Sequence, residues 1–143
     1  MQLTRRQIIV EFFNLNARPI AGNNDAKIAW HSYAKKLLIK VAESLGLEHG
    51  QYDIRSNLGG VSVSGEVTMH SDSLYVQFSQ GIRAMGSDVG DCYSMMVRTC
   101  RNRQDFAGGK NQFFPYEIML HWDTKFIPVL EQTMRKIPFM VVS

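Results

Sequence analysis

Three observations predict an α+β fold, with an antiparallel sheet of about four strands packed by a long helix in the N-terminal half and by a C-terminal helix. Apolar residues recur at three- and four-residue steps from Trp30 to Leu45, the period of one buried helical face. From Gln51 to Ser79 the period becomes two, the mark of strands with one buried face. Phe126, Ile127, Leu130 and Met134 then return to helical spacing near the C-terminus. The chain has 143 residues, the size of one domain, 1–143. With 45% hydrophobic and 20% charged residues it has a globular composition, which excludes disordered, collagenous and coiled-coil classes. No apolar run approaches the ~18–20 residues of a membrane span. The stretch from Met1 to Gln7 leads into a short apolar run broken by Glu11, unlike a secretion signal.

Each element has a local reason. Thr4-Arg5-Arg6-Gln7 matches a capping box and opens a short helix whose face carries Ile8, Phe12 and Leu15, with Ile9 and Phe13 beside them. Arg18 to Asn24 reads as a loop, because Pro19 biases Arg18 away from helix and Gly22 with the Asn pair favours turns. Asn24 or Asp25 can cap the next helix, which runs to Leu45 with Gly46 as its stop. Tyr52, Ile54 and Ser56 make a short strand closed by Asn57-Leu58-Gly59-Gly60. The alternation of Val61, Val63, Gly65, Val67 and Met69 with Ser62, Ser64, Glu66, Thr68 and His70 predicts one longer strand. After a turn at His70 to Ser73, Leu74, Val76 and Phe78 resume the inward face. Residues 80–91 read as a flexible connection, and Tyr93, Met95 and Val97 as a further strand. Arg101 to Asn111 is a loop, and Glu117 to Leu120 suits a short strand. The last helix starts near Asp123 or Thr124 and ends before Pro138, with Pro128 in its first turn. The apolar tail Phe139 to Val142 would dock as an edge strand.

Charge is concentrated. The net charge is +3, yet residues 98–110 alone hold four basic side chains and one acidic one, beside an acidic stretch. Such a segment steers anionic partners. The two cysteines, Cys92 and Cys100, would lie ~26 Å apart along one strand at ~3.3 Å per residue, too far for a disulfide. Free thiols fit a cytoplasmic protein.

The segment Arg98 to Phe114 carries the most chemistry. Arg98, Arg101 and Arg103 offer guanidinium forks for phosphate or carboxylate, and Lys110 adds a fourth cation. Gly108-Gly109 would admit backbone N–H groups to an anion, and Phe106 and Phe113 offer anchors or stacking platforms. A paired alternative joins Arg103 to Asp105 and sends the aromatics to the core. On the long helix, Lys35, Lys36 and Lys40 form a second basic face, either solvated or phosphate-contacting. Metal and cofactor signatures are absent: no Cys-x-x-Cys, no His-x-x-x-His, no Walker or Gly-x-Gly-x-x-Gly loop, no nucleophile elbow. Asp123-Thr124-Lys125 has the Asp-x-Lys form found in metal-dependent nucleases, although a helix cap explains Asp123 better. A metal-free nuclease would use His70 or His121 with a nearby cation.

The order helix, strands, helix resembles the double-stranded-RNA-binding domain. The segment Asp123-Thr124-Lys125 lacks that family's lysine cluster, which sets it aside. Arg98-Thr99-Cys100, Arg103, Asp105-Phe106, Gly108-Gly109 and Asn111, with the hairpin Gly65 to His70 and Leu74 to Gln77, resemble small uncharacterised proteins carried by phages, plasmids and integrated elements. That resemblance implies a context, binding to a host or defence complex or to nucleic acid, and no activity. The expectation is a non-enzymatic binding protein without cofactor, contacting its partner through Arg98, Arg101, Arg103 and Lys110 with Phe106 and Phe113 as anchors. An apolar patch outside the basic segment favours a protein partner. A continuous groove joining Lys35, Lys36 and Lys40 to the arginine loop favours nucleic acid. An exposed sheet edge would support a homodimer.

Overall fold

The computed structural model describes residues 2–80, 95–105 and 109–135. Helix α1, Arg5–Asn16, starts at the expected capping box: the Gln7 N–H donates to Thr4 Oγ1 at 3.2 Å, and the Thr4 N–H donates to Gln7 Oε1 at 2.8 Å. Helix α2, Asn24–Ser44, is capped one residue earlier than expected. Asn23 Oδ1 accepts from the Ala26 N–H, and Gly46 follows the helix with φ +79°. The helices are joined inside the fold by the Trp30 indole, whose Nε1–H donates to Asn16 Oδ1 at 3.1 Å.

Five strands form one antiparallel sheet in sequence order among the described residues: β1 Tyr52–Asn57, β2 Glu66–Ser71, β3 Leu74–Ser79, β4 Met95–Thr99 and β5 Gln112–Phe114. Val67, Met69, Leu74, Val76, Phe78, Met95 and Val97 face the helices and are buried. Phe12 is the hinge of this core. Its ring lies 5.3 Å from Trp30, 5.6 Å from Phe78 and 4.9 Å edge-on from Tyr116. A 3₁₀ segment, Tyr116–His121, and a π-helical turn, Trp122–Phe126, lead into α3, Ile127–Met134. The α+β class, the long N-terminal-half helix and the C-terminal helix are therefore as expected, with one short strand added.

Three local expectations give way. Strand β2 begins at Glu66, so Val61 and Val63 belong to the β1–β2 loop. Glu117 to Leu120 is 3₁₀ helix, because Tyr116 and Met119, three residues apart, both turn into the core. The C-terminal helix starts at Ile127, after the π turn, with Pro128 in its first turn as expected. Residues 81–91, Cys92, Tyr93, Phe106, Gly108, Pro138 and the tail Phe139 to Val142 lie outside the described residues. Cys100 follows β4 as a buried thiol that donates from Sγ to the Ser71 carbonyl at 3.2 Å. No helix of the described residues is long and apolar enough to cross a membrane.

Candidate functional site

The helices cover one face of the sheet, so the other face carries Asp53, Arg55, Thr68, His70, Tyr75, Gln77, Met96, Arg98 and Phe113. Strand register lines up Asp53, His70, Tyr75 and Arg98 across four strands. This row explains the fate of Arg98. Its guanidinium stacks 4.2 Å from the Tyr75 ring and is only 5% exposed. Nη1 donates to the Thr99 carbonyl at 3.4 Å and to the Asp105 carbonyl at 3.2 Å. The sequence reading put Arg98 in the contact surface. Pairing with Tyr75 turns it inward instead, where it pins the loop that follows β4.

The rest of that loop is fastened in the same way. Arg103 Nη2 donates to the Gly50 carbonyl at 2.6 Å, Nε lies 3.4 Å from Asp72, and Nη1 lies 3.6 Å from Asp53. The basic segment and the acidic stretch thus neutralise each other in part. Asp105 Oδ2 accepts from the Arg101 backbone N–H at 3.0 Å, rather than pairing with Arg103 as in the alternative above. The Gly109 N–H donates to the Thr99 carbonyl at 3.0 Å, and a Cβ on Gly109 would collide with Thr99 Oγ1. Gly109 therefore serves close packing on β4. The side chains of Arg101 and Lys110 are exposed, and Phe113 is 48% exposed on the open face.

Lys35, Lys36 and Lys40 sit on α2, across the sheet from Arg98 and Phe113. Lys36 donates to Ser32 Oγ at 2.8 Å and lies 5.0 Å from the Tyr33 ring, while Lys40 lies 3.7 Å from Glu43. The two basic groups are not brought together into one groove.

Of the two histidines a metal-free nuclease would use, one is held inside. His70 is buried, with Nε2 2.8 Å from Thr68 Oγ1 and its ring edge-on to Tyr75 at 5.1 Å. Burial, and then the nearby Arg55 charge, keeps its pKa below the ordinary value, against a hydrogen bond to the Arg103 backbone and the charge of Asp53. His121 is exposed. Asp123, from the Asp-x-Lys triplet, lies in the π turn and meets Arg5 at 3.6 Å. Among the described residues no group of three or more His, Cys, Asp or Glu could hold a metal ion.

Sequence reasoning missed the β1–β2 loop, residues 58–65. Lys27, buried on α2, reaches over and donates from Nζ to the carbonyls of Gly60 and Val63, both at 2.9 Å. One turn later His31 is 2.8 Å from the Ser64 carbonyl through Nε2 and 2.9 Å from Ser56 Oγ through Nδ1. A carbonyl only accepts, so Nε2 carries the proton and Nδ1 accepts from the Ser56 hydroxyl. Burial lowers the His31 pKa, and Lys27 and Lys35 add to that; the Ser64 bond and Glu66 oppose it. The Gly22 N–H donates to the Val61 carbonyl at 2.9 Å. Gly65 adopts φ +73°, and a Cβ there would meet the Asn57 and Leu58 carbonyls. At the tip of this anchored loop Val61 is 87% exposed, with Leu58 and Val63 exposed beside it. The only trace in the sequence is that Lys27 and His31 lie four residues apart on one helical face.

Comparison with known proteins finds no matching family model, no similar curated protein and no matching solved structure.

Proposed function

We propose that the chain is a non-enzymatic protein-binding protein, one of the two contexts, host or defence complex or nucleic acid, implied by its resemblance to uncharacterised accessory proteins of mobile elements. The observation that carries this reading is the anchored apolar loop at 58–63. The loop holds Val61 87% exposed. Here it is tied down by buried donors from Lys27 and His31, which is the preorganisation that lowers the entropic cost of binding. An apolar tip outside the basic segment is surface chemistry suited to a protein partner. The cations offer less to a polyanion than their number suggests, since Arg98 is buried and Arg103 is paired.

Nucleic-acid binding is the second reading. It rests on Arg101, Lys110 and Phe113, which remain at the surface around the β4–β5 connection and combine phosphate contacts with a stacking platform. The two readings separate in one experiment. Labelled single- and double-stranded DNA and RNA are titrated against salt, using wild type, Arg101→Ala/Lys110→Ala and Val61→Asp. The protein-partner reading expects no binding at physiological salt, together with capture of a discrete complex from host extract that Val61→Asp abolishes. A steep salt slope lost in the Arg101/Lys110 variant and kept in Val61→Asp would replace it with the nucleic-acid reading.

A further inference from the structure

The sheet ends differently on its two sides. At one edge β5 is three residues long. At the other, β1 runs for six residues in unbroken register with β2, from Tyr52↔Ser71 to Asn57↔Glu66. It has neither the proline nor the bulge that commonly blunts an edge. In an antiparallel pair alternate residues bond to the neighbour, and the others turn their N–H and C=O groups outward. On β1 none of those outward groups has a hydrogen-bond partner among the described residues. Six residues at ~3.3 Å each give an open edge of about 20 Å.

The side chains of β1 select the strand that fits there. Asp53 and Arg55 lie on the open face, while Tyr52 and Ile54 pack, partly buried, against the core on the other. Asp53 is 3.9 Å from Arg55 and 3.6 Å from Arg103, whose Nε in turn meets Asp72. These two carboxylates balance these two guanidiniums, so net charge selects nothing. Order does. Like charges directly opposite each other across two strands destabilise the pair, and opposite charges stabilise it. An antiparallel newcomer must therefore set a cation against Asp53 and an anion against Arg55. Read along its own direction, such a strand runs acidic, any residue, basic. Asp53-Ile54-Arg55 has that order itself.

We propose that β1 is a self-association edge, at which a second copy of the chain pairs antiparallel about a twofold axis through Ile54. Asp53 then stands opposite Arg55 of the second copy, and Arg55 opposite its Asp53. The two Ile54 residues face each other, and Tyr52 meets Ser56. The pairing joins two sheets into one and supplies the outward backbone groups with their missing bonds. An isologous contact of this kind closes at two copies. It goes beyond the protein-binding reading and does not depend on it, because it uses the backbone of β1 rather than the loop at 58–63.

The test is a charge exchange on the full chain, read by sedimentation velocity across a concentration series. Wild type should form a dimer and no larger species, with amide exchange slowed at alternate residues of β1 as concentration rises. Asp53→Lys sets cation against cation at both pairs, and Arg55→Asp sets anion against anion. Each variant alone should associate about tenfold more weakly than wild type. An equal mixture of the two restores both opposite-charge pairs, and the dimer should return. A merely destabilised fold cannot produce that rescue. Both side chains are half-exposed, so thermal midpoints close to wild type check that each variant is folded. The proposal is overturned by a chain that stays monomeric to about 1 mM, or by a dimer indifferent to both substitutions. It is also overturned if mixing fails to restore the dimer, if β1 gains no protection, or if assembly continues beyond two copies.

Discussion

The loop after β1 and the loop after β4 are fastened by the same device and present opposite chemistry. In the first, Lys27 donates to the carbonyls of Gly60 and Val63. In the second, Arg98 donates to those of Thr99 and Asp105. Each cation is buried, and each uses its charge on backbone oxygens rather than on a carboxylate. A buried donor on two carbonyls satisfies acceptors that a loop otherwise leaves to water. The first loop then exposes valines and a leucine, the second Arg101 and Lys110. What differs is the outer layer of support. The apolar loop is held from the helix side by Lys27 and His31. The basic loop is held from the open face of the sheet by Arg98, His70 and Arg103, with surface carboxylates sharing the work. The comparison teaches that a basic residue in a loop-rich segment can be a fastener, and that the exposed cations must be identified one by one.

The matched glycines give the largest expected contrast. Gly65→Ala forces a left-handed φ on a side chain and drives Cβ into two backbone carbonyls, which cannot yield. It should cost about 3 kcal/mol or more in urea unfolding. Gly109→Ala meets the hydroxyl end of Thr99, a side chain, and should cost about 1–2 kcal/mol. Equal costs would mean that the two loops are not held as described.

Next come the fasteners. Arg98→Met should lose about 2–4 kcal/mol, because it removes the Tyr75 stack and the donor to the Asp105 carbonyl, while the Thr99 carbonyl keeps the Gly109 N–H. Lys27→Met strips the Gly60 and Val63 carbonyls of a donor but removes no aromatic stack, so about 1–3 kcal/mol is expected. If Lys27→Met is the more damaging of the two, the ranking of the loops reverses.

Acid should loosen both loops. His31 and His70 have folded pKa values below the ordinary 6.5. The unfolded chain therefore binds more protons on acidification, so the stability these neutral rings contribute is full above 6.5 and is lost as pH falls below it through their folded values. Urea midpoints measured downward from pH 7.5 should fall from about 6.5, and His31→Phe should remove part of that slope. A flat profile would contradict the neutral His31 geometry.

The smallest effect belongs to the surface ion pairs. Arg103→Ala should cost about 0.5–1 kcal/mol, reduced by added salt, since Asp53 and Asp72 are largely solvated.

Much of the fold was legible because its signals are local. The Thr4–Gln7 capping box, the apolar stripe of α2 with Gly46 behind it, and the β2–β3 hairpin each lie within a few residues of their cause. The failures were long-range. Val61 and Val63 alternate like a strand, and only Lys27 and Gly22, more than thirty residues earlier, draw them into a loop. Arg98 looks like a surface cation until register sets it against Tyr75. Arg101, Lys110 and Phe113 were read in the sequence and are exposed, whereas Lys27 and His31 carry no motif. Their meaning arises only when separate elements meet.

Native-state hydrogen exchange at the Gly22 amide tests the anchoring most directly, because that N–H is bonded to the carbonyl of the exposed Val61. Anchoring by Lys27 predicts protection within about tenfold of the α2 core amides, falling by orders of magnitude in Lys27→Met while α2 itself stays protected. Exchange at the unfolded rate in wild type would contradict it, and with it the preorganised loop on which the protein-binding proposal rests.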